Sequence, residues 1–293
     1  MKVAVVGLGS MGMGIARSTL AGGHEVWGYD LNAANAADFK SHGGGDGQLT
    51  DVAETLDCLV VVVLNADQLN AVLSDELLAS MNGAVVIACA TVPPQAARDT
   101  AQRCVDHGCL YLDAPMSGGA AKAMTGELSF IASGSRDAFA KAGPVLKAAG
   151  TTTFDLGDEP GAGSAMKAVN QMLAGVHIAA MGEALAFGLS QGIEIERIVD
   201  IIPQCAGTSW MFENRAPHVR DADYTPRSAV DIWPKDLGIV MDAAKASRVP
   251  TPLTAAAMQR FLAASGQGWG GDDDAAVTRV TAREAGLKLP GEE

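Results

Sequence analysis

Lys2-Val3-Ala4-Val5-Val6-Gly7-Leu8-Gly9-Ser10-Met11-Gly12 is the stretch whose reading decides the fold of the first half of the chain. Lys2 to Gly7 is a short apolar run, the pattern of a buried strand. A helical pattern opens directly after it, runs to about Ala21 and is stopped by Gly22-Gly23. Glu25 to Tyr29 is a second strand, ending at Asp30. Strand, turn, helix and strand fill about 30 residues, the size of a βαβ mononucleotide-binding half. In such a turn Gly7 allows the tight bend, Gly9 lets backbone approach a pyrophosphate, and Gly12 permits close helix–strand contact. The helix then points its free N–H groups at the phosphates. A bare glycine pattern of this kind is weak, and a methyltransferase loop can look similar. This one follows a strand, opens a helix and has an acid at the end of the next strand.

Asp30 bears on the choice of cofactor. A carboxylate there accepts hydrogen bonds from an adenosine ribose and repels a 2′-phosphate. No lysine or arginine follows in Leu31-Asn32-Ala33-Ala34, so the pattern favours NAD over NADP. The bland alternative is a cap before a helix at Asn32 to Lys40.

Outward from this unit, strands keep alternating with helices. Cys58 to Leu64 and Ala84 to Ala90 are nearly continuous apolar runs, which suits parallel strands buried on both faces. Helices are expected at Asp67 to Ser80, from Pro93-Pro94 to about His107, and at Arg136 to Ala149. Further strands are expected at Leu110 to Leu112, Leu128 to Ala132 and Thr152 to Asp155. The alternation predicts a doubly wound α/β sheet over residues 1–159. Asp113-Ala114-Pro115-Met116-Ser117-Gly118-Gly119 follows a strand at the carboxyl edge, where such sheets bind ligands. Ser117, Gly118 and Gly119 could turn successive N–H groups toward a carboxylate, or form a plain loop.

Residues 160–293 read as all helix, at 161–190, 194–204, 209–217, 234–247, 252–265 and 272–284. Pro160 to Gln191 is the long one, with no proline after its opening glycines and little β-branching. Gly163, Lys167 and Asn170 share a face of it, at spacings of four and three. This face, offering bare backbone at Gly163, an ammonium and an amide, is expected to close an active site built by the first half. A lysine so placed is often just solvated. Here its neighbours Met166, Ala168 and Val169 are apolar, and partial desolvation beside an oxidised nicotinamide would lower its pKa. Lys167 could then take a hydroxyl proton as general base, or return it in the reverse direction. Lys235 may reach the same cleft, whereas Asp236 reads as a helix-dipole residue. Asp272-Asp273-Asp274 reads as an acidic helix start rather than a metal cluster.

Totals bound the rest. The chain has 293 residues, 48% of them hydrophobic, which suits two ordinary domains. A net charge of −13 argues against nucleic acid. No membrane span or signal peptide is read, so a cytoplasmic location is expected. The five cysteines, odd in number, read as reduced buried thiols, and no metal site is expected.

These motifs together resemble the β-hydroxyacid dehydrogenase family along essentially the whole chain. Gly7 to Gly12 is similar to its cofactor motif, Asp113 to Gly119 to its substrate motif, Gly161 to Asn170 to its catalytic motif, and Lys235-Asp236-Leu237 to a fourth. The resemblance implies a Rossmann-type domain followed by an all-α domain joined by the long helix, in a homodimer or homotetramer. It implies Lys167 as acid/base catalyst, Ser117, Gly118 and Gly119 around a substrate carboxylate, and Asn170 as substrate positioner. It places Gly7, Leu8, Gly9, Ser10, Met11, Gly12, Asp30, Leu64, Asn65 and Thr91 at the NAD, with Lys235 near both its nicotinamide end and the substrate. Gly9 to Gly14, Leu173 to Ile178, Ser209 to Arg215 and Asp223 to Pro226 are similar to a branch that oxidises the C2 hydroxyl of a four-carbon sugar acid. One departure is Asn170, where that branch carries histidine.

Overall fold

The computed structural model describes residues 1–81 and 83–292. The chain forms two compact units, Met1–Lys167 and Ala168–Glu293.

The first unit is built on a sheet of eight strands: β1 (Lys2–Val6), β2 (Glu25–Tyr29), β3 (Cys58–Val61), β4 (Val85–Ala88), β5 (Leu110–Asp113), β6 (Met116–Ser117), β7 (Leu128–Gly134) and β8 (Gly150–Asp155). Their order is β2-β1-β3-β4-β5-β7-β6, with β8 on β7. The first five strands are parallel, and β7 runs antiparallel to β5 and β6. Every residue of β3 and β4 is buried, as their continuous apolar runs require. Side chains alternate between two apolar layers, so Val3, Val5, Val60 and Ile87 enter one and Ala4, Leu59, Val61 and Val86 the other. Strand order reverses between β1 and β3. In open sheets this opens a ligand crevice at the carboxyl ends of those strands.

Two readings of the first half are corrected, and one stretch went unread. Asp67 to Ser80 is not one helix but two, Ala66–Val72 and Asp75–Ser80. The break comes where the Ser74 hydroxyl accepts the Leu77 N–H and starts a new helix. Residues 113–119 are not all loop, since β6 occupies part of them and a helix, Gly119–Thr125, begins at their end. A short helix at Leu49–Val52 and a 3₁₀ turn at Ala53–Thr55 had no periodic signal to announce them.

A long helix, Ala162–Ser190, crosses the division between the units. It is long and apolar enough to cross a membrane by those criteria alone, yet half of its most apolar window is buried inside the protein. The second unit is helical, with Ile195–Ile201, Trp210–Arg220, Ile232–Ser247, Pro252–Ala264 and Val277–Glu284 following. Its core gathers Ile178, Leu185, Phe212, Leu237 and Val280 around Trp233 and Phe261, whose rings stack 5.4 Å apart.

The three aspartates at 272–274 are more than an acidic helix start. Asp273 does cap a 3₁₀ turn, accepting the Ala275 N–H, but the helix proper begins only at Val277. Asp274 turns inward, 2.5 Å from Arg215 Nε, and accepts the indole N–H of Trp233 at 3.0 Å. Asp273 Oδ1 lies 2.8 Å from His218 Nδ1. Burial works against the Asp273 charge, but His218 and the N–H groups of Arg227 and Ala275 hold its carboxyl below the usual range. Its stabilisation is therefore present above the unfolded value of about 3.9 and is lost as pH falls through the lower folded one. Asp273→Asn is expected to cost about 2 kcal/mol at neutral pH. In urea titrations that difference from wild type should shrink as pH falls below the unfolded value.

Candidate active site

The carboxyl ends of the parallel strands carry the groups that the sequence singles out. Gly7 has φ +91°, and a Cβ there would stand 2.0 Å from the Val62 carbonyl oxygen. A Cβ on Gly12 would stand 1.7 Å from the Gly7 oxygen. Only glycine fits either position, so β1, the turn and the helix Ser10–Ala21 are packed backbone to backbone. Gly9 differs, because its missing side chain opens onto empty space. It is also the N-cap of that helix, with no side chain capping it and no acid in the first turn. Bare N–H groups beside open space fit the pyrophosphate of a dinucleotide. Gly14, not weighed in the sequence, makes the contact with the 119–125 helix, where its Cβ would lie 2.4 Å from the Ala123 carbonyl carbon.

Asp30 follows β2 and fastens this turn. Its Oδ2 accepts the Leu8 N–H at 2.6 Å and its Oδ1 the Asn32 N–H at 2.7 Å. The helix cap is Asn32, whose side chain accepts the Ala34 N–H, so Asp30 is not that cap. Each carboxylate oxygen keeps a further lone pair for a ribose hydroxyl. Leu64 and Asn65 follow β3. Asn65 caps the next helix by accepting the Gln68 N–H, and Leu64 donates its N–H to the Gln68 side chain. Thr91 lies beyond the end of β4, half-buried.

The substrate-motif residues lie at the end of β5. Gly118 and Gly119 both have positive φ, +133° and +74°, which sets two N–H groups in a conformation other residues avoid. Lys167 is brought to this loop, its Nζ donating to the Met116 carbonyl at 2.9 Å. Two residues to which the sequence reading gave no individual role hold the start of its helix. Asp113, fully buried, accepts the N–H groups of Gly161 and Ser164 at 3.0 and 2.8 Å and the Ser164 hydroxyl at 2.7 Å. Ser133 accepts the Gly163 N–H at 3.0 Å. The N-terminus of the long helix is thus capped from β5 and β7. Burial pushes the Asp113 carboxyl up, against the hydrogen bonds from Ser164 and Gly161. An aspartate ending a buried strand, with Ser-x-x-Lys at a later helix start, was the available signal.

Gly163 does not offer bare backbone to a ligand. A Cβ there would lie 2.5 Å from the Ile131 oxygen and 2.7 Å from the Asp113 oxygen. Its role is to let the helix touch the sheet.

Asn170 and Lys235 belong to the second unit. Asn170 lies one helical turn beyond Lys167 and is half-buried. Its Nδ2 donates to Gln171 Oε1 at 2.9 Å. Lys235 lies in the first turn of Ile232–Ser247, its Nζ 2.6 Å from Asp236 Oδ1. Asp236 is not a solvent-facing helix-dipole residue, for it is buried and accepts from Gln171 Nε2 at 2.5 Å. Four cysteines, Cys58, Cys89, Cys104 and Cys109, are buried free thiols, while Cys205 is exposed.

Known proteins match the chain along nearly its whole length. The family model for the NAD-binding domain of 6-phosphogluconate dehydrogenase matches residues 2–157. That for the NAD-binding part of NADP-dependent 3-hydroxyisobutyrate dehydrogenase matches residues 161–281. L-threonate dehydrogenase of Cupriavidus necator is 45% identical, over 99% of this chain and 98% of its own. The Escherichia coli K12 protein of the same name is also 45% identical, over 99% of this chain and 96% of its own. A crystal structure from Salmonella typhimurium, described as 3-hydroxyisobutyrate dehydrogenase, superposes with a TM-score of 0.91 at 45% identity, covering 96% of this chain and 99% of that one. Fold and matches together define an NAD(P)-dependent oxidoreductase acting on a hydroxy acid. The chain belongs to the 3-hydroxyisobutyrate dehydrogenase-like family of β-hydroxyacid dehydrogenases.

Proposed function

We propose that the protein oxidises L-threonate, a four-carbon sugar acid, at its C2 hydroxyl with NAD, and that it works in the cytoplasm as a homodimer or homotetramer. The observation that carries the reading is the hydrogen bond from Lys167 Nζ to the Met116 carbonyl, which sets an amine against the Ser117–Gly119 backbone. The substrate carboxylate rests on the N–H groups of that backbone. Lys167, as the neutral amine, takes the proton of the reacting hydroxyl, and in the reverse direction returns it. General base assistance of this kind contributes about 10²–10⁴-fold. Asn170, on the same helix face as Lys167, orients the rest of the acid. NAD, when bound, supplies the acceptor for the hydride that leaves the same carbon. Gly7 to Gly12 would hold its pyrophosphate and Asp30 its ribose, with Leu64, Asn65 and Thr91 along the same edge of the sheet.

The choice of L-threonate rests on the 45% full-length identity to two enzymes of that name. The choice of NAD rests on Asp30 and on the lack of a cation in Leu31 to Ala34. A second reading, 3-hydroxyisobutyrate, is favoured by the description of the Salmonella structure. Both are tested by following reduced cofactor across a panel of three- and four-carbon hydroxy acids with NAD and NADP in turn. L-threonate is expected to exceed 3-hydroxyisobutyrate by about tenfold or more in kcat/KM, the discrimination expected of a site built to bond a substrate hydroxyl. Preference for 3-hydroxyisobutyrate would replace the substrate, and preference for NADP would overturn the role given to Asp30.

A further inference from the structure

We propose that Asp236, acting through Gln171, fixes which way the Asn170 amide faces, so that Asn170 meets its ligand as a hydrogen-bond acceptor. The proposal concerns the specificity of the site just described and rests on that reading for the identity of the ligand.

The argument is one of donor and acceptor polarity. Asp236 is 2% exposed and ion-paired with Lys235, so it is a carboxylate, and a carboxylate only accepts. Its Oδ2 faces Gln171, which must therefore present its NH2 there, and does so at 2.5 Å. Gln171 is itself buried. With its nitrogen committed, its carbonyl is the end left for Asn170, and it takes an Asn170 Nδ2–H at 2.9 Å. Asn170 must then turn its own nitrogen toward Gln171 and its Oδ1 away. Primary amides are almost symmetric in shape, so without the carboxylate at one end the two could turn over together and offer N–H instead. Asp236 breaks that symmetry, and its polarity passes through two amides to the face that also carries Lys167.

The consequence is a preference among acids. A ligand with a second hydroxyl beside the reacting one donates to Asn170 Oδ1. A ligand with hydrogen or methyl there leaves that oxygen without a protein or ligand partner. Asn170, Gln171 and Asp236 thereby select polyhydroxy acids over their deoxy counterparts. Gln171 and Asp236 are positioning residues, since they act through Asn170.

The test uses the full chain with Gln171→Met and Asp236→Asn. The first removes the middle of the relay and leaves the Lys235–Asp236 pair in place, and the second keeps the shape but removes the charge and with it the ion pair to Lys235. The Asn170 side-chain amide is followed by ¹⁵N NMR, with Asn170→Asp for assignment. One of its protons is expected to be protected from exchange in the wild type and to lose that protection in Gln171→Met. In Asp236→Asn its signal is expected to shift as the amides turn over. In parallel, kcat/KM is measured for L-threonate and for 2,4-dihydroxybutanoate, which lacks only the neighbouring hydroxyl. The ratio is expected to fall about tenfold in both variants while KM for the dinucleotide holds in Gln171→Met. An Asn170 signal indifferent to both substitutions, or an unchanged ratio, overturns the proposal. If the wild type turns over neither acid, the reading of its substrate fails, and the NMR response alone still decides the relay.

Discussion

Lys167→Ala is expected to lower turnover of the hydroxy acid by about 10²–10⁴-fold while dinucleotide affinity stays within about twofold of wild type. The size follows from the role. An alcohol proton must leave as the carbonyl forms, and Lys167 is the amine set beside the substrate motif to take it. The dinucleotide should be insensitive because the pyrophosphate site proposed for it is backbone at Gly7 to Gly12, and the proposed ribose site is Asp30, neither of which involves Lys167. Lys167→Arg sharpens the test. It keeps a hydrogen-bond donor at the Met116 carbonyl but cannot be deprotonated, so it should be as slow as the alanine variant. Stopped-flow turnover and fluorescence titration with NADH measure the two quantities separately. An arginine variant with near-normal turnover would reduce Lys167 to a charge that binds the acid and would remove it as the base.

Asp113→Ala is expected to lower stability by about 3 kcal/mol or more, from three donors left without acceptors in a buried place. Those donors are the N–H groups of Gly161 and Ser164 and the Ser164 hydroxyl. Activity should fall further than stability explains, since the turn they hold leads directly to Lys167. Asp113→Asn keeps the shape and one acceptor, and its deficit should depend on pH. Burial raises the folded carboxyl above its unfolded value, despite the hydrogen bonds from Ser164 and Gly161. A group shifted this way contributes its stability below the unfolded value and loses it as pH rises through the folded one. The advantage of wild type over Asp113→Asn should therefore be largest near pH 3 and shrink toward neutrality. Guanidinium titrations across that range test it, and an advantage that grew with pH would show that the carboxylate is stabilised by its cap.

Much of this was legible from residue order. The apolar runs at Lys2–Gly7 and Cys58–Leu64 gave strands because continuous apolar segments flanked by turn residues have few other uses. The glycine turn declared itself because Gly7 and Gly12 tolerate no substitute where backbone meets backbone. The long helix was visible because nothing within it breaks a helix. What stayed hidden was tertiary. No periodicity reveals that Asp113 reaches forward to Gly161 and Ser164, or that Gln171 meets Asp236, since such bonds join residues distant in sequence. The split at Ser74 was hidden for the opposite reason, because a single capping serine inside a helical pattern carries little weight. Gly163 was placed on the right face and given the wrong purpose, since a missing side chain looks alike whether it makes room for a ligand or for a sheet.

That glycine acts as a shim. With hydrogen in place of methyl, the first turn of the long helix sits flush on two carbonyl oxygens, of Asp113 and Ile131. Any thicker residue would have to lift the helix by several tenths of an ångström, and the amine one turn further on would ride with it. Reach to a hydroxyl is governed by such margins. Tolerance at position 163 should therefore track catalytic alignment more closely than it tracks melting temperature, although the residue has no functional group to contribute.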